Sequence, residues 1–470
     1  MKNMVFSKRI FFAGCLPMAF TNVISQESIS KPNIVFILAD DMGWKDLTCY
    51  GNTFNETPNI DSLSRAGMRF TQAYSAGPVS SPTRASILTG KYPATLKLTN
   101  SIGVNKTDSN SSVLPAKWKP FLEPSEITLA EILKTNGYTT GMIGTWHLGW
   151  GKSMQPWDQG FDYTRLIDKN ASDYYNYSII SNAYKPEFTD HGTEYLTDKL
   201  TTYGVEFIKQ NQEKPFFLYL AYTAPHVLLV PRADKISKYL LKCGYNGTKA
   251  GNPYYAAMME SLDEGVGRIV ETLRAAGLLE NTIIVVTSDH GGVGIAEMGP
   301  VPTSNLPLRK WKGFLYEGGI RVPSIISWKS KIGTGIVSDH YFSSIDYLPT
   351  LCDLVGIKGI PDSIAGKSIV PILFQIQPAN IQQDTIFWHY PHFSNQGSGP
   401  AGAVRCGDYK LIENYETHAL ELYNLKNDLG ELHDLSKIEK KKTLEMYEML
   451  DYWRKKNKAE MPIPKKNQFK

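Results

Sequence analysis

The chain reads as an α/β protein: a large, mixed but mainly parallel sheet sandwiched by helices, followed by a small α+β subdomain with a short antiparallel sheet and a helix. Three observations predict this. Short, wholly apolar runs of strand length alternate with longer amphipathic runs of helical period through most of the sequence. Strands apolar throughout are buried on both faces, as in parallel sheets covered by helices. After about residue 375 the apolar runs become short and are separated by turn residues, the pattern of hairpins.

The elements follow in order. Lys2, Lys8 and Arg9 precede a short apolar stretch at 10–23 and the small-residue site Val23-Ile24-Ser25, which predicts a cleaved export signal over 1–25. Phe12-Ala13-Gly14-Cys15 is an alternative lipidation signal. The stretch is too short to span a membrane as a stable helix, and no other segment is longer and as apolar. Residues 33–38, 139–143, 216–220, 282–287 and 322–328 read as buried strands. Residues 127–134, 195–210 and 256–276 read as helices, the first ended by Asn136-Gly137 and the last by Gly277. Short strands at 385–389, 402–405, 409–412 and 420–424 and a helix at 438–455 make the subdomain. The expected organisation is a main domain over 28–376 and a subdomain over 377–470, joined at Gln377-Pro378-Ala379-Asn380.

Composition narrows the function classes. Lysine and arginine number 50 against 46 acidic residues, a net charge of +4, with no long basic stripe. That excludes nucleic acid as the main partner. The five cysteines, Cys15, Cys49, Cys243, Cys352 and Cys406, show no metal-binding spacing. An exported chain permits disulfides among the last four; buried free thiols are equally compatible.

The chemistry-bearing residues sit where an open α/β sheet places its site, just beyond the carboxyl ends of strands. The strand at 33–38 runs into Asp40-Asp41, that at 139–143 into Trp146-His147, that at 216–220 into Pro225-His226, and that at 282–287 into Asp289-His290. Asp40, Asp41, Asp289 and His290 together suit a hard cation, calcium or magnesium. Ser80-Ser81-Pro82-Thr83-Arg84 predicts a helix start, with Ser81 as N-cap, Pro82 at the first helical position and Gly90 past the end. Ser80 then lies at the helix mouth, where unpaired N–H groups attract an anion and Arg84 can reach it.

Ser80-x-Pro82-x-Arg84 followed by Leu88-Thr89-Gly90-Lys91-Tyr92-Pro93 resembles the signature of the type I sulfatases, within the alkaline-phosphatase-like superfamily. The resemblance extends through Asp40-Asp41-Met42-Gly43-Trp44, Thr57-Pro58-Asn59, Ala224-Pro225-His226, Thr287-Ser288-Asp289-His290-Gly291 and Tyr316-Glu317-Gly318-Gly319. It implies a periplasmic or secreted hydrolase of sulfuric esters in which a serine-converting maturase oxidises Ser80 to formylglycine. A serine attacking sulfur would stall as a stable sulfated ester; a hydrated aldehyde has a second hydroxyl that expels sulfate. The resemblance further implies Ca2+ held by Asp40, Asp41, the Ser80-derived group, Asp289 and His290. It implies Arg84 as the charge that activates the nucleophile, His147 on the second hydroxyl, and His226 and Lys312 on sulfate and the leaving alcohol. Lys310 competes with Lys312 for that register.

One position departs from the pattern. The family usually reads Gly-Lys-Trp-His-Leu-Gly, and this chain reads Gly144-Thr145-Trp146-His147-Leu148-Gly149. Losing a charge-assisted contact costs about 1.5–3 kcal/mol; Lys152 is the nearest replacement in sequence. His389 and His392, in Trp388-His389-Tyr390-Pro391-His392-Phe393, and the tyrosine-rich 171–177 stretch are candidates for a sulfated saccharide, a galactose or N-acetylgalactosamine unit. Two alternatives remain: a metal-dependent phosphatase or phosphodiesterase of the same superfamily, and a non-catalytic sulfated-glycan binder, which Thr145 alone favours.

Overall fold

The structure, a computed structural model, describes residues 1, 4, 31–169, 171–181, 189–191, 194–243, 251–376 and 385–465. The export signal, Cys15 and the Gln377 junction lie outside the described residues. Residues 31–470 form one compact unit.

The elements that position the site are β1 (Asn33–Ala39), α1 (Pro58–Arg65), β2 (Met68–Tyr74), α2 (Ser80–Thr89), α3 (Leu129–Thr135), β3 (Thr139–Gly144), α4 (Leu196–Gln210), β4 (Phe216–Ala221), α5 (Pro253–Ala275), β5 (Thr282–Ser288) and β6 (Arg321–Ser327). The six strands belong to an eleven-stranded mixed sheet. Within it β5, β1, β4 and β3 are neighbours in that order, all parallel, while β6 runs antiparallel to both β5 and β2. Every residue of β1, β4, β5 and β6 is buried. Alternation sends Ile34, Phe36 and Leu38 into one core layer and Val35, Ile37 and Ala39 into the other, because successive side chains leave opposite faces of a strand.

Helix ends match their sequence signals. Thr128 and Glu131 form a capping box at α3, and the Asn252 side chain caps α5. Asp263 of α5 accepts the N–H groups of Asn59 and Ile60 at the start of α1.

The carboxyl-terminal part holds a four-stranded antiparallel sheet, β7 (Ile386–Tyr390), β8 (Ala401–Cys406), β9 (Tyr409–Asn414) and β10 (Leu420–Asn424), and helix α6 (Lys440–Lys456). Met446, Leu450 and Trp453 of α6 cover one face through Val404, Leu411 and Leu422. The other face, with Trp388, Ala403 and Ile412, packs on Tyr74 and Val79 of the main domain. Cys49, Cys243, Cys352 and Cys406 are free thiols. Among the described residues no helix is long and apolar enough to cross a membrane.

Candidate active site

Register brings the chemistry to one edge. Ala39 pairs with Ser288, Leu38 with Ala221, and Gly144 with Ala221. The residues that follow, Asp40, Thr145, Tyr222 and Asp289, therefore leave the sheet at one level. Gly144 has φ 106°, and a Cβ there would lie 1.9 Å from the Ala221 carbonyl oxygen. Only glycine permits this close turn, which releases Thr145, Trp146 and His147 over the sheet end.

Helix α2 begins at Ser80, two residues earlier than the sequence suggests. The preceding Val79 is extended and no side chain caps the helix. The expected N-cap, Ser81, instead accepts the Ile102 N–H at 3.1 Å, and Pro82 is the third helical residue. The first-turn N–H groups thus carry no side-chain cap.

Around Ser80 the charges interlock. Ser80 Oγ lies 2.9 Å from His290 Nε2 and 3.4 Å from Asp40 Oδ1. His290 Nδ1–H donates to the Gly291 carbonyl, so Nε2 is left as a lone pair facing Ser80. Arg84 donates to Asp40 at 2.9 Å, to Asp289 at 3.0 Å and to the Thr145 carbonyl at 2.8 Å. Burial would lower its guanidinium, but Asp289 and Asp40 outweigh that and hold it above its ordinary range. Lys312 Nζ pairs with Asp41 Oδ1 at 2.8 Å, while Lys310 lies over the Trp311 and Phe314 rings.

Asp41, at φ 68°, is buried; its Oδ1 meets the Lys312 ammonium, and its Oδ2 accepts no hydrogen bond. Asp40, Asp41 and His226 offer ligand atoms within 4.8 Å of one another, as do Asp40, Asp289 and His290. Three carboxylates against the two fixed cations Arg84 and Lys312 leave a net negative cage. Burial, then the nearby Asp289, raises Asp40 above the usual carboxylate range. Crowded carboxylates with an orphaned oxygen in a buried site fit a hard divalent cation.

Two imidazoles complete the edge. His147 Nε2–H donates to the Ile102 carbonyl at 3.0 Å, leaving Nδ1 as the acceptor. Burial, then Arg84, pushes it down to about 4, so it is neutral at neutral pH. His226 Nδ1–H donates to the Val227 carbonyl, and Nε2 stands 3.5 Å from Asp41 Oδ2. Ser80, His147, His226 and Lys312 line a half-open cavity of about 390 Å³, together with Asp40, Tyr390 and Asn395.

His389 and His392 do not reach this cavity. His389 bonds Tyr415 at 2.7 Å and the Glu460 carbonyl at 3.0 Å. His392 bonds Thr99 at 2.8 Å. Both are buried, and burial first of all lowers them to about 4 and about 3. They are packed groups of the junction: His389 on β7 and His392 just after it both turn into buried contacts rather than across a rim. Lys152 is exposed and does not line the cavity.

Sequence reasoning missed the support behind Asp41. Tyr255 donates to the Asp41 carbonyl at 3.1 Å and to Asp46 at 2.5 Å; Asp46 also accepts the Gly43 N–H at 2.6 Å and the Thr303 hydroxyl. Asp46 follows the acidic pair closely, but Tyr255 lies in the first turn of α5, more than 200 residues away, with no local signal. Thr223, whose hydroxyl lies 2.9 Å from that of Thr145, was missed as well.

A parallel sheet with a cation cage, an arginine-held helix mouth and two histidines at one edge defines a hydrolase of anionic esters. Comparison with known proteins makes this particular. The "Sulfatase" family model matches residues 32–357, and the "N-sulphoglucosamine sulphohydrolase, C-terminal" model matches 310–458. The chain belongs to the sulfatase family and is a sulfuric ester hydrolase. It is 31% identical to a sulfatase of Formosa agariphila over 99% of this chain and 98% of that protein. It is 32% identical to the mouse N-acetylgalactosamine-6-sulfatase over 77% of this chain and 70% of that protein. Among solved structures it is similar to Ps i-CgsB in complex with k-i-k-neocarrahexaose, with TM-score 0.79, 27% identity, and coverage of 93% of this chain and 96% of that one.

Proposed function

We propose that this sulfatase removes sulfate from a sulfated saccharide, with a formylglycine nucleophile derived from Ser80 and a calcium ion held by Asp40, Asp41, Asp289, His290 and the Ser80-derived group. The observation that carries this reading is the convergence at Ser80: its Oγ lies 2.9 Å from His290 and 3.4 Å from Asp40, in a buried cluster where Asp41 Oδ2 has no hydrogen-bond partner. Calcium supplies positive charge that acidifies the nucleophile and offsets sulfate charge. Arg84 anchors Asp40 and Asp289 and adds fixed charge to the centre. His147 Nδ1 is a neutral acceptor for the proton released as sulfate is expelled. His226 Nε2, held near Asp41, donates a proton to the leaving alcohol, and Lys312 binds sulfate oxygen. The saccharide assignment draws on the relatives above, two of which are named for amino-sugar sulfatases or bound to a carrageenan oligosaccharide. The enzyme acts outside the cytoplasm, as the amino-terminal signal implies.

A two-metal phosphatase fits less well. The two candidate ligand triads share Asp40, and the Lys312 ammonium already stands 2.8 Å from Asp41. A second divalent ion would face that charge. The test is the mass of the Ser80 peptide from protein matured in its own host, together with sulfate release before and after calcium chelation. Oxidation lightens the peptide by two hydrogens; an unmodified peptide from active protein refutes the nucleophile.

A further inference from the structure

A second cavity, of about 480 Å³, adjoins the first. The two share Ile102, Gly103, Thr145, His147, Thr223 and His226 as lining. The wall between them is therefore the pair of threonines whose hydroxyls lie 2.9 Å apart. A longer side chain at 145 would project from this wall into the adjoining cavities; the short threonine does not.

The far side of the second cavity is built for a polar ring. Trp150 is half-buried, and its indole N–H has no hydrogen-bond partner among the described residues. Lys169 lines the same space, exposed and without a carboxylate partner among the described residues. Tyr174 closes the floor, its hydroxyl bonded to the His226 carbonyl at 3.0 Å. The Asp173 carboxylate is already spent on Tyr175 and Asn176 N–H groups. An aromatic face, a free indole donor, an ammonium and two hydroxyls suit a hydroxylated ring.

We infer that this second cavity is a subsite for the sugar ring next to the sulfated one, and that Thr145 sets a preference for oligosaccharides over small sulfate esters. This rests on the saccharide sulfatase reading. The sulfated ring sits over Ser80, and the chain continues past Thr145 and Thr223 to Trp150.

The matured enzyme is assayed on 4-nitrophenyl sulfate and on galactose- and N-acetylgalactosamine-based sulfated monosaccharides and tetrasaccharides. For the tetrasaccharide that is cleaved, wild-type kcat/KM exceeds that of the matching monosaccharide by about tenfold, the order of one or two ring contacts. Trp150→Ala cuts that ratio by about three- to tenfold, the range for a lost aromatic contact. Thr145→Lys moves the substrates in opposite directions, 4-nitrophenyl sulfate up and the tetrasaccharide down. Equal kcat/KM on mono- and tetrasaccharide, an unchanged ratio in Trp150→Ala, or parallel changes in Thr145→Lys would each overturn the subsite and leave the sulfatase reading intact. No sulfate released from any saccharide, with 4-nitrophenyl sulfate cleaved, would overturn the saccharide reading itself.

Discussion

The molecule buries two clusters of carboxylates and cations, and they are built to opposite rules. Beneath the small sheet, Glu317 accepts the Tyr74 hydroxyl at 2.6 Å, Lys410 at 2.9 Å and Arg321 at 3.2 Å. Glu431 accepts the Glu317 N–H at 2.7 Å and Lys410 at 2.9 Å. Every carboxylate oxygen there has a partner, and Lys410 is fully buried between them. At the sheet edge, Asp41 has one oxygen on Lys312 and one buried oxygen that accepts nothing, and Asp40 and Asp289 share Arg84. One cluster is closed and structural; the other is left short of positive charge, and that shortfall is what the proposed calcium ion would fill. Buried charge alone does not mark a site. Unpaired buried charge does.

Substitutions should separate the two clusters. Asp40→Asn should lower sulfate release by about 1000-fold or more, equivalent to roughly 4 kcal/mol of barrier. It should also abolish the rise in melting temperature on adding calcium, yet raise that of the calcium-free protein, because it removes one of three carboxylates crowded around two cations. A drop in calcium-free stability would contradict the view of this cluster as incomplete. Lys410→Met should do the reverse. Denaturant titration should show a loss of about 3–5 kcal/mol, the usual result of stranding a buried partner, while sulfate release per folded molecule stays near that of the parent. Tyr255→Phe tests whether the backbone behind Asp41 is held from α5. Calcium affinity, measured by calorimetry, should fall by about 10- to 100-fold, as for other supports behind metal ligands. An unchanged affinity would remove Tyr255 from that role.

The mildest effect is a slope. Burial, then Glu317, pushes the Glu431 carboxyl up to about 7. The folded state then keeps a proton that the unfolded chain has released above its ordinary value of 4.5. Stability from this group is complete below 4.5, declines as pH rises, and is lost on passing about 7, by at most about 1.4 kcal/mol per pH unit. Glu431→Gln should flatten the melting temperature across that window. An identical pH profile in the variant would show that Glu431 is ionised throughout.

Much of the site was legible because it obeys local rules. Buried β strands announce themselves by composition, and parallel packing sends their ends to one edge. Asp40, Asp41, His147, His226, Asp289 and His290 could therefore be brought together without coordinates. The helix ends at Asn136-Gly137 and before Gly277 were legible for the same reason, whereas the start of α5 at Pro253 lies three residues before the one expected. What failed depended on distant partners. Ser81 looks like a cap, but its hydroxyl is taken by Ile102, 21 residues away. His389 and His392 look like rim residues, but Tyr415, Glu460 and Thr99 claim them in a packed junction. The Tyr255–Asp46 support and the Thr145–Thr223 pair join segments far apart in the chain, and no spacing rule reveals them.

At Gly291 the cation-facing loop meets bare backbone. A Cβ there would lie 1.9 Å from the Gly318 carbonyl oxygen, and the Gly291 N–H is bonded to Gly319. Residue 317, next in line, holds Lys410 and Glu431. The reactive edge thus meets the Gly318–Gly319 backbone directly, and the adjoining Glu317 carries that contact on to the carboxyl-terminal part through the buried Lys410 and Glu431 side chains. A chimera that grafts the tail of a relative onto this chain would transmit any mismatch to His290, so the tail is a working part of the hydrolase and not an interchangeable appendage.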